Sequence, residues 1–200
     1  MNRTKTVNIR YITVTAMLSA VAFILMFLEF SVPFMPGFIK MDLSDLPELI
    51  GAFAMGPACG VFVCLVKNLL HLPLTSSAGV GELSNFLLGM MFVLPAGLLY
   101  RRKKTRSTAM AGAAIGAVCM AVFSVPSNYF LVYPVYAKFM PIDQIVVAYQ
   151  AIVPSVNGLL ECLIVFNMPF TLVKGVINVI LTFLIYKHIS PVLKGNFKKQ

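Results

Sequence analysis

Read from its N-terminus, the chain alternates long apolar runs with short polar or basic interruptions, and run length decides what each run is. A helix needs about 20 mostly apolar residues to cross a bilayer, within about 17–25. Six runs are read as spans: about 11–28, 46–55, 57–72, 82–100, 109–132 and 168–189. The second and third form one stretch, too long for a single span, which Gly56-Pro57 divides; proline removes a backbone donor and clashes with the preceding turn. Outer loops fall at about 29–45, 73–81 and 133–167. Within the last, an apolar segment from Ile142 to Phe166 carries Pro154 and Gly158 and reads as a lid or re-entrant piece. The predicted fold is an all-α integral membrane protein, one membrane domain over residues 1–200 with six transmembrane helices and an outer-loop lid.

Composition removes the soluble alternative. Of 200 residues, 59% are hydrophobic and 12% charged, against about 45–50% and about 25% in soluble domains. The net charge of +9 forms no stripe of the kind nucleic acid requires, so no nucleic-acid partner is expected. The basic residues flank apolar runs instead. With the N-terminus inside and six spans, Arg3, Lys5 and Arg10, then Arg101, Arg102, Lys103, Lys104 and Arg106, then Lys187, Lys194, Lys198 and Lys199 share one side. The positive-inside rule makes that side, and both termini, cytoplasmic. Glu29, Asp42, Asp45, Glu48, Glu82 and Asp143 fall on the other side. The first run is long for the core of a signal peptide and is kept as a span. Cys59, Cys64, Cys119 and Cys162 show no metal-binding spacing, so no metal is expected.

Polar residues inside spans are costly and mark candidate sites. In the sixth span Asn167, Thr171, Lys174 and Asn178 are spaced 4, 3 and 4 apart, and Thr182 continues the stripe; at 3.6 residues per turn they share one face. Lys174 alone could snorkel to the headgroups, but snorkelling does not need the amides and hydroxyls around it. Glu82 and Asn85 share a face at the start of the fourth span, where Glu82 also suits the helix dipole. Asn128 lies in the fifth span, ahead of tyrosines that read as an interface belt. Lys67, on the third span, either snorkels or pairs with Glu82. Together these amides and one cation suit a flat ligand rich in carbonyls and hydroxyls. Ala16 and Ala20, Gly56 and Gly60, and Gly112 and Gly116 have the spacing that lets helices pack closely. No nucleotide-binding loop, no HExxH, no GxSxG and no close carboxylate pair deep in a span is found. Catalysis and a bound cofactor are therefore not expected, and uphill transport would need another subunit for energy. An intramembrane enzyme acting on a lipid would have only Glu82 and Lys67 as an acid/base pair.

Four segments resemble a known family: FIKMDLSDLP (38–47), KNLLHLPLTSSAGVGELSNFLLG (67–89), SNYFLVYP (127–134) and PFTLVKG (169–175). They are similar to the riboflavin-specific substrate-binding subunit, or S component, of energy-coupling factor (ECF) vitamin transporters of bacterial cell membranes. GELSNF is shared across S components, whereas the first and last segments point to riboflavin. The resemblance implies an outward-facing pocket formed by the first outer loop, with Asp42 and Leu46, and by helices four to six. It implies hydrogen bonds to the flavin from Asn128 and Lys174, and a complex with a membrane coupling subunit and two cytoplasmic ATPase subunits, the coupling subunit meeting the Ala16 and Ala20 face. Thr171 stands where the family pattern has asparagine, and one hydroxyl does not reproduce an amide's donor and acceptor; Asn167 is the neighbouring amide. An S component for another vitamin is the alternative.

Overall fold

The computed structural model describes residues 9–37, 39–75, 78–138 and 141–194, with backbone alone over 187–194. Arg3, Lys5, Lys198 and Lys199, with Phe38, Ser76 and Ser77 of the quoted segments, lie outside the described residues, as do the side chains of Lys187 and Lys194. The described elements are α1 (Ile9–Phe27), β1 (Phe30–Ser31), β2 (Lys40–Met41), α2 (Asp45–Met55), α3 (Pro57–His71), α4 (Val80–Arg102), α5 (Arg106–Ser127), α6 (Tyr133–Tyr136), α7 (Ile142–Gln150), α8 (Leu159–Cys162) and α9 (Met168–Lys194). Among the described residues five continuous rods are long and apolar enough to cross a membrane: Ile9–Phe27, Pro57–Leu74, Val80–Arg102, Arg106–Tyr136 and Leu159–Tyr186. Helix α2 has only 11 residues and is not among them; it packs against α1, α3, α4 and α9. The α2–α3 break sits at Gly56, whose φ of 105° favours glycine, with Pro57 opening α3.

Prolines behave differently further along. The last rod begins at Leu159, inside the segment read as a lid, and the rod before it runs on from Arg106 to Tyr136. A proline in a helix leaves the carbonyl four residues earlier without its N–H. For Pro134 and Pro169 those carbonyls belong to Phe130 and Val165, and each lies inside a π turn, Asn128–Val132 and Leu163–Asn167. The wider turn accommodates the missing donor and the helix continues. Only α7 and the loop after it are left as a cap, held by a cluster that includes Val132, Ile145, Val156, Leu163 and Phe166.

Small residues set how closely the rods approach. A Cβ on Gly112 would stand 2.9 Å from the Ala96 carbonyl oxygen, one on Gly175 would stand 2.9 Å from the Ala117 Cβ, and one on Gly116 would overlap the Phe92 carbonyl oxygen. Around this layer lies the main core, with Leu49, Phe53, Phe92, Ala113 and Met120. Helix α1 is peripheral: Ile9, Ile12, Met17, Val21 and Ile24 are exposed, as lipid-facing side chains are, and Ala16 and Ala20 are exposed with them.

Gly116→Val should destabilise the protein by about 1–3 kcal/mol, as overpacking does, whereas Gly158→Ala, where an added Cβ meets nothing within 4 Å, should be neutral. Thermal unfolding in detergent reads both; equal melting temperatures would contradict the close α4–α5 approach.

Candidate functional site

One end of the bundle holds a cavity of about 540 Å³, within the range of about 300–1,000 Å³ usual for small-molecule sites. Its apolar walls include Met26, Leu88, Met120, Val132 and Phe170. Lys174, Thr171, Asn167, Asn128, Asn85, Glu82 and Asp42 all line it. Leu46 does not: it is buried among Val14, Leu18, Ile50 and Val63, where α1, α2 and α3 meet. The polar stripe of α9 divides in the same way. Its mouth-side members reach the cavity, whereas Asn178 and Thr182 are fully buried below it, and the Asn178 side chain donates to the Lys174 carbonyl at 3.0 Å.

Ions tie the floor together. Lys174 Nζ lies 3.0 Å from Asp42 Oδ2 and 3.2 Å from Asp45 Oδ2. The other Asp45 oxygen lies 3.1 Å from Lys67 Nζ, which also meets Glu48 Oε1 at 2.5 Å. Lys67 donates to Ser44 Oγ at 2.5 Å, and the Ser44 N–H donates to Asp42 Oδ1 at 2.8 Å, joined there by its own hydroxyl. Asp45 thus bridges two lysines from different helices. Burial opposes ionisation of Asp42, but the Lys174 and Lys67 ammoniums and the Ser44 hydrogen bonds outweigh it and hold the carboxyl well below the usual range. Two sequence-based readings are corrected. Lys67 neither snorkels nor pairs with Glu82, and a close carboxylate pair, Asp45 and Glu48, is buried against it. Glu82 instead meets His71 Nδ1 at 2.6 Å and accepts from Thr75 Oγ1 at 2.9 Å.

The cap contributes a second network. Tyr149 donates to Asn167 Oδ1 at 2.6 Å and lies 2.8 Å from the Tyr133 hydroxyl. Burial first, and then the neighbouring Tyr133, push the Tyr149 hydroxyl above its ordinary pKa, so it remains a donor. Asn167 is thereby engaged. The side chains of Asn85, Asn128 and Thr171 have no protein partner among the described residues, so their donors and acceptors are available to a ligand. Over them the first loop forms a ribbon, pairing Phe30 with Met41 and Ser31 with Lys40, with an ion pair between Lys40 and Glu29 at its edge. Asp45, His71, Thr75, Tyr133 and Phe170 also line the cavity, and sequence reasoning did not place them in the site. For Asp45 the available signal was its spacing of three residues from Asp42 on the same short segment.

Comparison with known proteins decides the family. Residues 10–186 match the family of ECF transporter substrate-specific components. The chain belongs to that family. The S component is 34% identical over 187 residues to the riboflavin transporter RibU of Staphylococcus aureus (strain TCH60), covering 94% of this chain and 93% of the relative. It is 29% identical over 187 residues to the riboflavin transporter FmnP of Bacillus subtilis (strain 168), covering 92% and 94%. A solved structure described as the S component of a bacterial ECF transporter matches with a TM-score of 0.73 and 32% identity, over 92% of this chain and 97% of that one. The family consists of transport components, not enzymes, which removes the intramembrane-enzyme alternative. As a substrate-specific component, the chain is a membrane protein that works with an ECF module.

Two predictions follow from the ion network. Lys67→Met leaves Asp45 and Glu48 buried with one cation fewer, so thermal unfolding in detergent should show a loss of about 3–5 kcal/mol; an unchanged midpoint would contradict the pairing. Asp42 is depressed, so its stabilising contribution is complete above its unfolded value of about 3.9 and is lost only as pH falls through the lower folded value. Protection of the 40–45 backbone from hydrogen exchange, corrected for the intrinsic rate, should therefore hold from about pH 8 to about pH 5; loss of protection already at about pH 6 would contradict it.

Proposed function

We propose that this S component captures riboflavin at the outer face of a bacterial cell membrane and delivers it to an ATP-driven ECF module. The observation that carries this is the cavity itself: the unpartnered Asn85 and Asn128 amides and the Thr171 hydroxyl, with Lys174, project between apolar walls. That arrangement suits a flat heteroaromatic ring edged with carbonyls and ring nitrogens and carrying a hydroxylated chain. The riboflavin transporters among its relatives support the same substrate. Substrate contacts are assigned to Lys174, Asn128, Asn85 and Thr171, with Asn167 positioned by Tyr149, Glu82 held by His71, and Asp42 held at the floor by Lys174; Leu46 anchors the end of the first loop through its apolar contacts.

In this reading residues 1–200 form one membrane domain, and α2 with the five long rods makes six helices. Arg10 and the 101–106 cluster lie at the bundle end opposite the cavity, so the positive-inside rule supports cytoplasmic termini and an outward mouth. The proposed module consists of a membrane coupling subunit, meeting the Ala16 and Ala20 face of α1, and two cytoplasmic ATPases. The S component needs no cofactor of its own, and riboflavin is cargo.

Titration of the stripped protein in detergent, followed by quenching of flavin fluorescence, tests the substrate. Riboflavin should bind, and thiamine and biotin should not compete; absence of flavin binding would sink the assignment. Lys174→Ala should weaken binding by about 1.5–3 kcal/mol, as for a hydrogen bond to a charged group. Unchanged affinity would remove Lys174 from the site.

A further inference from the structure

A second cavity, of about 360 Å³, lies at the other end of the bundle between α1, α2, α3 and α4. We propose that it binds a phosphate group, supplied by the headgroup of an anionic lipid. Its inner wall is apolar, with Phe53 and Met55 of α2 and Pro57 of α3, and its rim carries Arg101 and Lys104. Helix α2 ends and α3 begins at Gly56, so the two helix dipoles oppose each other there and largely cancel. The two cations supply the positive charge at the rim, beside the C-terminal end of α4.

Both cations are exposed, and neither has an acidic partner among the described residues. The chain's acidic side chains, Glu29, Asp42, Asp45, Glu48, Glu82, Asp143 and Glu161, belong to the first cavity, its ion network or the elements that cap it. Among the described residues no anion neutralises them, which leaves both cations available to a ligand. A guanidinium can fork onto two phosphate oxygens while an ammonium acts as a point charge. The apolar wall matches the ester and first methylenes next to a lipid phosphate, for which a free phosphate has no counterpart. Depth agrees, since Glu82 to Arg101 along α4 covers about 28 Å at about 1.5 Å per residue, close to the hydrocarbon thickness of about 30 Å. Arg101 then stands at headgroup level, where basic pockets between spanning helices hold anionic lipids.

The test compares the full chain with Arg101→Gln/Lys104→Gln and with Arg102→Gln/Lys103→Gln, which removes the same charge outside the cavity. Each is placed in phosphatidylcholine nanodiscs containing phosphatidylglycerol, and lipid retained on release is read by native mass spectrometry. The wild type and the second variant should retain phosphatidylglycerol, whereas the cavity variant should bind it about a hundredfold more weakly, each direct hydrogen bond between a charged side chain and the phosphate being worth about tenfold or more. Cargo binding at the other end reports that the variants are folded. Inorganic phosphate is titrated in phosphatidylcholine alone, with thermal stability as readout. No effect supports the lipid as source; stabilisation that needs Arg101 and Lys104 keeps the phosphate site but overturns the lipid. Equal loss in both variants, or undiminished retention in the cavity variant, overturns the site. Undiminished retention with loss of assembly with the ECF module would identify the rim as a protein-docking surface instead.

Discussion

Two ammonium groups buried in an apolar bundle are tolerable only if they are paired, and Asp45 pairs with both. Lys67 and Lys174 come from α3 and α9, and the carboxylate between them opens the short helix α2. Much else depends on that bridge. It fixes the N-terminus of α2 at the cavity floor, and through Ser44 and Asp42 it anchors the end of the first loop. It also keeps the Lys174 ammonium beside the cavity rather than reaching for the headgroups. A buried ion network contributes little net stability compared with a well-packed apolar equivalent, so its retention is better explained by the geometry it enforces.

That geometry is asymmetric along the bundle axis. Where Gly112, Gly116 and Gly175 bring backbones together, the rods leave no room between them. Beyond Met120 lies the cavity, bordered by polar side chains, the ribbon of the first loop and the α7 cap. The close-packed layer thus lies beneath the cavity and closes it on that side. The π turns sit at the level of the cavity, where Asn128, Val132 and Asn167 line it and each helix carries a proline.

Much of this was legible from residue spacing. The long apolar runs gave the rods because lipid demands them, and the face carrying Asn167, Thr171 and Lys174 does border the cavity. Asn178 and Thr182 continue the same stripe yet lie in the core, because spacing reports a face and not the depth at which a cavity ends. The ion network was not legible. Lys174 and Asp42 are 132 residues apart in sequence, and no local pattern announces such a pair. Asp45 and Glu48 were read as loop or helix-end charges, which hid the partners of Lys67. The sixth span was placed from about 168, whereas the rod begins at Leu159; a π turn that carries a helix through a proline leaves no mark in the hydrophobic pattern.

The glycine layer has an electrical consequence. A transmembrane voltage falls mainly across whatever is least polarisable, and the solution that reaches the mouth of the first cavity carries its own potential down toward Lys174. Most of the drop then falls across the close-packed stretch around Gly112, Gly116 and Gly175, alongside the buried Asn178 and Thr182. Lys174 and its carboxylates border that cavity, on the mouth side of the close-packed layer. The close-packed backbones that close the cavity on one side also insulate it.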